Sequence, residues 1–99
     1  MKLIDFSDDD ELYLFERVVK NLQSFYGHSE SDAIRMVNEY YHKFTNAEFC
    51  HRYNIPVQTV DFFFHIEESG MADRVHYYQA LDHEPNEAQF IEWERKIRL

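Results

Sequence analysis

Residues 7–27, with the sequence SDDDELYLFERVVKNLQSFYG, carry the strongest helical pattern in the chain. Their apolar side chains recur at intervals of three and four residues: Leu12, Phe15, Val19, Leu22 and Tyr26. This spacing places side chains on one face of an amphipathic α-helix. Ser7, followed by three aspartates, is typical of a helix N-terminus, and Gly27 stands where a left-handed residue ends a helix. The stretch therefore predicts one long amphipathic helix.

The same spacing continues toward the end of the chain and predicts further helices. Their expected starts are Ser29, Asn46, Pro56, Met71 and Asn86. We expect the third helix to end near Tyr53 and the fourth near Glu68, with an interruption at Gly70. Alternating strand patterns are absent from the sequence. The sequence thus predicts an all-α fold, a compact bundle of five to six short helices.

The composition is that of one folded, acidic domain. Of the 99 residues 17% are aromatic, and 19 acidic against 10 basic side chains give a formal net charge of -9. The length favours a single helical domain over residues 1–99, and the aromatic content favours a folded core over disorder. A negative field repels phosphate backbones and attracts basic partners.

Several classes of protein do not fit this sequence. Cys50 is the single cysteine, which excludes an intrachain disulfide framework and a zinc site of several thiolates. No run approaches the roughly 20 apolar residues of a membrane span, and the acidic N-terminus lacks the apolar core of a signal peptide. We therefore expect a cytoplasmic protein that does not contact a membrane. Gly27 and Gly70 stand alone, so no glycine-rich phosphate loop indicates a nucleotide-dependent enzyme, and no cofactor is expected.

Residues 49–60, FCHRYNIPVQTV, form the most specific local pattern. Cys50 is small enough to let two helices approach closely, Asn54 tolerates a left-handed turn, and Ile55 fits the inside of a corner. The segment resembles the helix-turn-helix of DNA-binding regulators. This resemblance implies a helix-turn-helix-like corner at residues 47–68, whose second helix would face DNA.

The charge of that corner does not suit DNA. A recognition helix presents Arg, Lys, Asn or Gln to base edges, and further cations hold the phosphates. The corner offers only Gln58 and His65, and no Lys or Arg stands between Arg52 and Arg74. A transcriptional regulator is therefore our second hypothesis, and nucleic-acid binding is not expected.

The six histidines raise a third hypothesis, a small metal-binding helical protein. Glu39 with His42, and Glu48 with His51, each place a carboxylate and an imidazole on one helical face. Glu-x-x-His on two helices is typical of di-iron carboxylate bundles, which also need further glutamates on long helices. The helices expected here are short, so no metal ligand is assigned. Cys50 and His51 are adjacent and point about 100° apart on a helix, so no catalytic residue is assigned either.

Two acidic patches and several aromatics favour a protein-binding surface, which is our leading hypothesis. A partner is expected to contact the following residues: Asp8, Asp9, Asp10, Glu11, Phe62, Tyr77, Asp82, Glu84 and Glu87. Rigid aromatic anchors beside carboxylates suit the recognition of a basic protein. The charge is similar to that of small inhibitors of nuclease toxins, the immunity proteins and antitoxins. The sequence therefore predicts a non-enzymatic module that masks a basic protein surface, and the aromatic excess favours a homodimer.

Overall fold

The chain folds into helices joined by short connections. The computed structural model describes Leu3 and residues 9–98. Its α-helices are α1 Asp9–Tyr26, α2 Glu30–Phe44, α3 Ala47–Arg52, α4 Val60–Val75 and α5 Glu87–Ile97, and a π-helical turn, His76–Ala80, follows α4 directly. Strands are absent from the described residues. The predicted all-α fold is therefore confirmed.

Most helices begin at a side chain that caps them. The capping oxygen accepts a hydrogen bond from the backbone N–H three residues later, which satisfies a donor that has no partner within the helix. The capping residues are Ser29 for α2, Asn46 for α3, Thr59 for α4 and Asn86 for α5. Gly27 follows α1 with a φ of 73°, as predicted for the end of that helix. The predicted cap Ser7 and Asp8 lie outside the described residues.

The start and the break of α4 differ from the prediction. The helix begins at Val60 instead of Pro56, because residues 55–59 run without helical structure into the Thr59 cap. Gly70 does not interrupt it. The break lies at Glu67 (φ 67°, ψ 174°), whereas Gly70 lets Ile66 lie close: a Cβ on Gly70 would meet Ile66 Cγ2 at 2.6 Å.

Glu67 occupies backbone angles that are essentially restricted to glycine and cost on the order of 1–3 kcal/mol in other residues. Glu67→Gly is therefore expected to raise the free energy of unfolding by about 1 kcal/mol, after the greater backbone entropy that glycine loses on folding is subtracted. Urea unfolding measures this. Ser69→Gly is the matched control, since Ser69 is exposed and helical, and it should lower the same quantity by about 0.5 kcal/mol. A lower stability for Glu67→Gly would contradict the strain at Glu67.

The core lies where α1 packs against α2 and α4. Phe15 of α1 contacts Tyr41 and Phe63 edge-on, with ring centroids 5.8 and 5.1 Å away. Tyr40 of α2 stacks on Phe44 at 4.3 Å. Edge-on and stacked aromatic pairs add to the free energy gained by burial, so the contacts of Phe15 help to fix how α1, α2 and α4 pack.

The π-helical turn buries two consecutive tyrosines. On a regular α-helix neighbours point about 100° apart, so one residue of a Tyr-Tyr pair is expected to face solvent. Instead Tyr77 and Tyr78 are both buried, at 3% and 4% exposure. The wider turn directs both rings inward, where each contacts Phe90 of α5. The prediction of Tyr77 as a partner-binding residue is therefore wrong.

Helix α5 is held by one buried ring and two ion pairs. Phe90 is its only fully buried residue. Near the start of α5, Glu87 accepts two hydrogen bonds from Arg74, at 2.5 and 2.8 Å. After its end, Arg98 donates to Asp73 at 2.6 Å. Asp73 and Arg74 are buried neighbours on α4. Arg74 binds the start of α5 and Asp73 binds the residue after its end, so two adjacent residues hold both ends of α5. None of the described helices combines the length and the apolar character needed to cross a membrane.

Candidate partner-binding surface

The connection from the π-helical turn to α5 forms the most distinctive acidic surface. Asp82 and Glu84 are exposed, and neither forms an ion pair with a described residue. Asp82 has a φ of 56°, a left-handed conformation that aspartate adopts more readily than most residues. Asn86 then caps α5, and both carboxylates between this turn and the cap are exposed to water.

Two clefts flank Pro85 on either side of this connection. One, of about 270 Å³, is mostly apolar; its lining includes Ile55, Pro56, Val57, Phe62 and Pro85. The other, of about 320 Å³, is more polar; its lining includes Phe49, Tyr53, Asp82, His83 and Glu84. We define the loop face as Asp82, Glu84, Pro85 and these two clefts. It combines unpaired negative charge with apolar recesses.

The apolar cleft is shaped by the segment that joins α3 to α4. The backbone N–H of Gln58 donates to the Phe44 carbonyl at 2.9 Å, and the side-chain oxygen of Gln58 accepts from the Tyr40 hydroxyl at 2.6 Å. These bonds fix the segment against α2, so the cleft is formed in the unbound chain. Burial also raises the pKa of Tyr78, which lines both clefts, to about 12, so its hydroxyl stays neutral.

The acids of the loop face do not all have the same role. Asp82 and Glu84 are exposed, and their contact with a partner stays a prediction. Glu87 is half-exposed, but both of its carboxylate oxygens are bound to Arg74. Glu87 therefore contributes to holding α5 and presents little free charge to a partner.

The predicted acidic patch at the start of α1 is smaller than expected. Asp9 and Asp10 are exposed, and Asp8 lies outside the described residues. Glu11 is buried at 1% exposure and accepts a hydrogen bond from the Tyr41 hydroxyl at 3.0 Å. The prediction of Glu11 as an exposed binding residue is therefore wrong, because a tyrosine of α2 draws its carboxylate into the interior.

The three consecutive phenylalanines divide between core, edge and surface. Phe63 is fully buried, and Phe64 is exposed at 43%. Phe62 is half-buried, lines the apolar cleft and lies against the Arg74 guanidinium, 5.1 Å from its ring centroid. Phe62 is therefore only partly available to a partner. Phe64 is the more exposed ring, and it was not among the predicted residues.

The residues of the metal hypothesis do not come together. Among the described residues, no group of three or more His, Cys, Asp or Glu side chains could hold a metal ion. Glu39 instead pairs with Arg35 and accepts from Gln79. The Cys50 thiol is 1% exposed and lies 3.4 Å from the Phe44 carbonyl. Burial raises its pKa, the opposite of what activates a nucleophilic thiol.

The corner at residues 47–68 has the predicted turn but a longer connection. Asn54 takes a left-handed φ of 56°, and Cys50 is buried. Seven residues, 53–59, separate α3 from α4, whereas a helix-turn-helix uses about three or four. Gln58, one of the two side chains predicted to face DNA, already binds Tyr40.

A polar cluster at the other end of α5 is not indicated by the sequence. It contains the pair His28–His76, whose ring nitrogens face each other, and the buried Asp73, which binds Tyr26 and Arg98. Only the spacing of Asp73 and His76 on one helical face was visible in the sequence. Their partners are 25 to 48 residues away along the chain, so no local pattern indicates them.

Function is not indicated by any known relative of this chain. No protein-family model, curated protein or solved structure matches it. The geometry and the charge of the loop face are therefore the basis for a functional proposal.

Proposed function

We propose that this protein is a non-enzymatic binding module that masks a basic surface on another protein, in the manner of immunity-type or antitoxin-type inhibitors. The observation that carries the proposal is the loop face, where the exposed, unpaired carboxylates of Asp82 and Glu84 line a polar cleft that shares Pro85 with a preformed apolar cleft. The encounter would take place in the cytoplasm.

Charge and shape have separate roles in this proposal. The net charge of -9 accelerates the encounter with a basic protein, since complementary fields raise association rates by 10-fold to 1,000-fold. An apolar side chain of the partner then enters the cleft beside Pro85, where water is excluded and contacts slow dissociation. The preformed cleft keeps the entropy cost of binding low.

Ion pairing within the chain leaves the loop face with its negative charge. Four basic side chains each lie within 4.0 Å of a carboxylate outside the loop face: Arg17, Arg35, Lys96 and Arg98. Arg74 binds Glu87, at the edge of the apolar cleft. Lys43 is the basic residue that lines the polar cleft, and it donates weakly to Gln79 at 3.5 Å. Asp82 and Glu84 thus remain available to a basic partner.

Charge reversal at the loop face tests the proposal. The partner is first captured from the native lysate at low and at high salt, and its association with purified variants is then measured. We expect Asp82→Lys with Glu84→Lys to slow association at least about tenfold and to flatten its salt dependence. The matched control, Glu16→Lys with Glu92→Lys, changes the net charge equally at two exposed sites and should slow association much less. Equal association rates for both double variants would refute the role of the loop face.

The same samples distinguish the other hypotheses. Retention of the wild-type chain on duplex DNA at about 50 mM salt would favour a regulator that uses residues 47–68. Sedimentation as a dimer, lost in the loop-face variant, would identify a second copy of the chain as the occupant. Either result would contradict the proposal that the partner is a basic protein.

A further inference from the structure

Two histidine rings meet head-on where the connection after α1 lies against the π-helical turn. His28 Nε2 lies 2.9 Å from His76 Nδ1. The ring centroids are 5.1 Å apart. This is longer than the distance between the two nitrogens by about the width of one imidazole ring. Each nitrogen therefore lies on the line between the two rings, and the nitrogens point at each other. This geometry fits a hydrogen bond in which one nitrogen donates and the other accepts. A metal ion bound by both rings would need them turned toward a third point.

The histidine pair joins three parts of the fold. The His76 ring stacks on Tyr26 of α1 at 3.8 Å, with the planes 5° apart, and lies 6.1 Å from the Trp93 ring of α5. His28 belongs to the connection between α1 and α2. A change in this pair therefore reaches the end of α1, the connection and α5 together.

The titratable and charged groups around the pair are Tyr26 of α1, Asp73 of α4, Glu94 of α5 and Arg98 after the end of α5. Asp73 accepts from the Tyr26 hydroxyl at 2.5 Å and from Arg98 at 2.6 and 2.8 Å. Burial and Asp73 raise the pKa of Glu94. Because Arg98 and Tyr26 already bind the Asp73 carboxylate, that charge compensates an additional cation on the histidine pair only in part.

We propose that His28 and His76 form a pH-operated latch that holds the connection after α1 and the end of α5 against α4, and that opens when both rings are protonated. While at most one of the two rings is positively charged, one facing nitrogen carries a hydrogen and donates it to the lone pair of the other. With both rings protonated, neither facing nitrogen has a lone pair, and two positive charges face each other at hydrogen-bond distance.

The direction of the pH effect follows from comparing how many protons the folded and the unfolded chain bind. A histidine side chain protonates near pH 6.5 in an unfolded chain. In the folded chain burial, and then His28, lower the pKa of His76, while Asp73 acts in the opposite direction. The unfolded chain therefore binds more protons below about pH 6.5, and the latch loses stability as the pH falls through that value.

Urea unfolding of wild type at pH 7.5 and pH 5.5 tests the latch. Exclusion of one proton from the folded pair should raise the unfolding constant about tenfold over this interval. His28→Gln keeps a neutral hydrogen-bonding partner for His76 and should reduce that tenfold rise to the part caused by the burial of His76. His51→Gln, on the exposed side of α3, is the matched control and should retain the full rise. Identical pH dependence in wild type and His28→Gln would overturn the proposal.

A second readout follows the latch without unfolding the chain. Trp93 is the only tryptophan, so its fluorescence reports on the ring beside His76. We expect a reversible change between pH 7 and pH 5 while the helical circular dichroism stays constant. His28→Gln cannot become charged opposite His76, so we expect it to lack most of the fluorescence change between pH 7 and pH 5. A change of wild-type size in His28→Gln would contradict the latch.

Discussion

Phe90→Ala is expected to lower the free energy of unfolding by about 3–5 kcal/mol, the range measured for the loss of a large ring from a packed core. Phe90 is 1% exposed and is the only fully buried residue of α5. Its ring lies between Tyr77, Tyr78 and Trp93, with centroids 5.4 to 5.9 Å away. Urea or thermal unfolding followed by circular dichroism measures the effect.

Ile91→Ala provides the control for this substitution. Ile91 is the next residue on α5 and is exposed at 39%, so its loss should cost less than about 1 kcal/mol. A cost below about 1.5 kcal/mol for Phe90→Ala would mean that the ion pairs, and not the ring, hold α5 in place. That result would make α5 a loosely attached helix, with consequences for the loop face that leads into it.

The features that the sequence predicted correctly are local ones. The spacing of apolar residues and the caps at Ser29, Asn46 and Asn86 depend on contacts within a few positions along the chain. The break at Glu67 has no such signal, because a glutamate at a positive φ contradicts local preference. The π-helical turn was also invisible, since it places both tyrosines against Phe90, more than ten residues later.

The candidate site divides in the same way. Asp82 and Glu84 are exposed, since acidic residues next to a proline and an asparagine are typical of a surface turn, and their contact with a partner stays a prediction. Glu11 and Glu87 have the same local character, yet their roles depend on distant partners, Tyr41 and Arg74. Charge alone therefore does not distinguish an acid that binds a partner from one that holds the fold.

Glu87→Gln tests that distinction directly and is expected to lower the free energy of unfolding by about 2–3 kcal/mol. The Arg74 side chain is 7% exposed, and within the described residues its Nε has no hydrogen-bond partner. Removal of the Glu87 charge leaves a buried cation without compensation, which costs 3–5 kcal/mol in fully buried pairs. The half-exposed position of Glu87 admits water and reduces that cost. Glu84→Gln, three residues earlier and exposed, should stay within about 0.5 kcal/mol of wild type.

A double variant separates the cost of the orphaned charge from the value of the pair. Arg74→Met removes the cation and keeps an apolar stem of similar length, so Arg74→Met with Glu87→Gln should recover most of the stability lost by Glu87→Gln alone. If the double variant is as unstable as Glu87→Gln, the guanidinium was not the source of the cost.

Binding measurements test the same distinction. Because both Glu87 oxygens are engaged by Arg74, Glu87→Gln should change the association rate with a basic partner much less than Glu84→Lys does. An equal loss for both would return Glu87 to the binding surface, and the acidic rim would then extend onto α5.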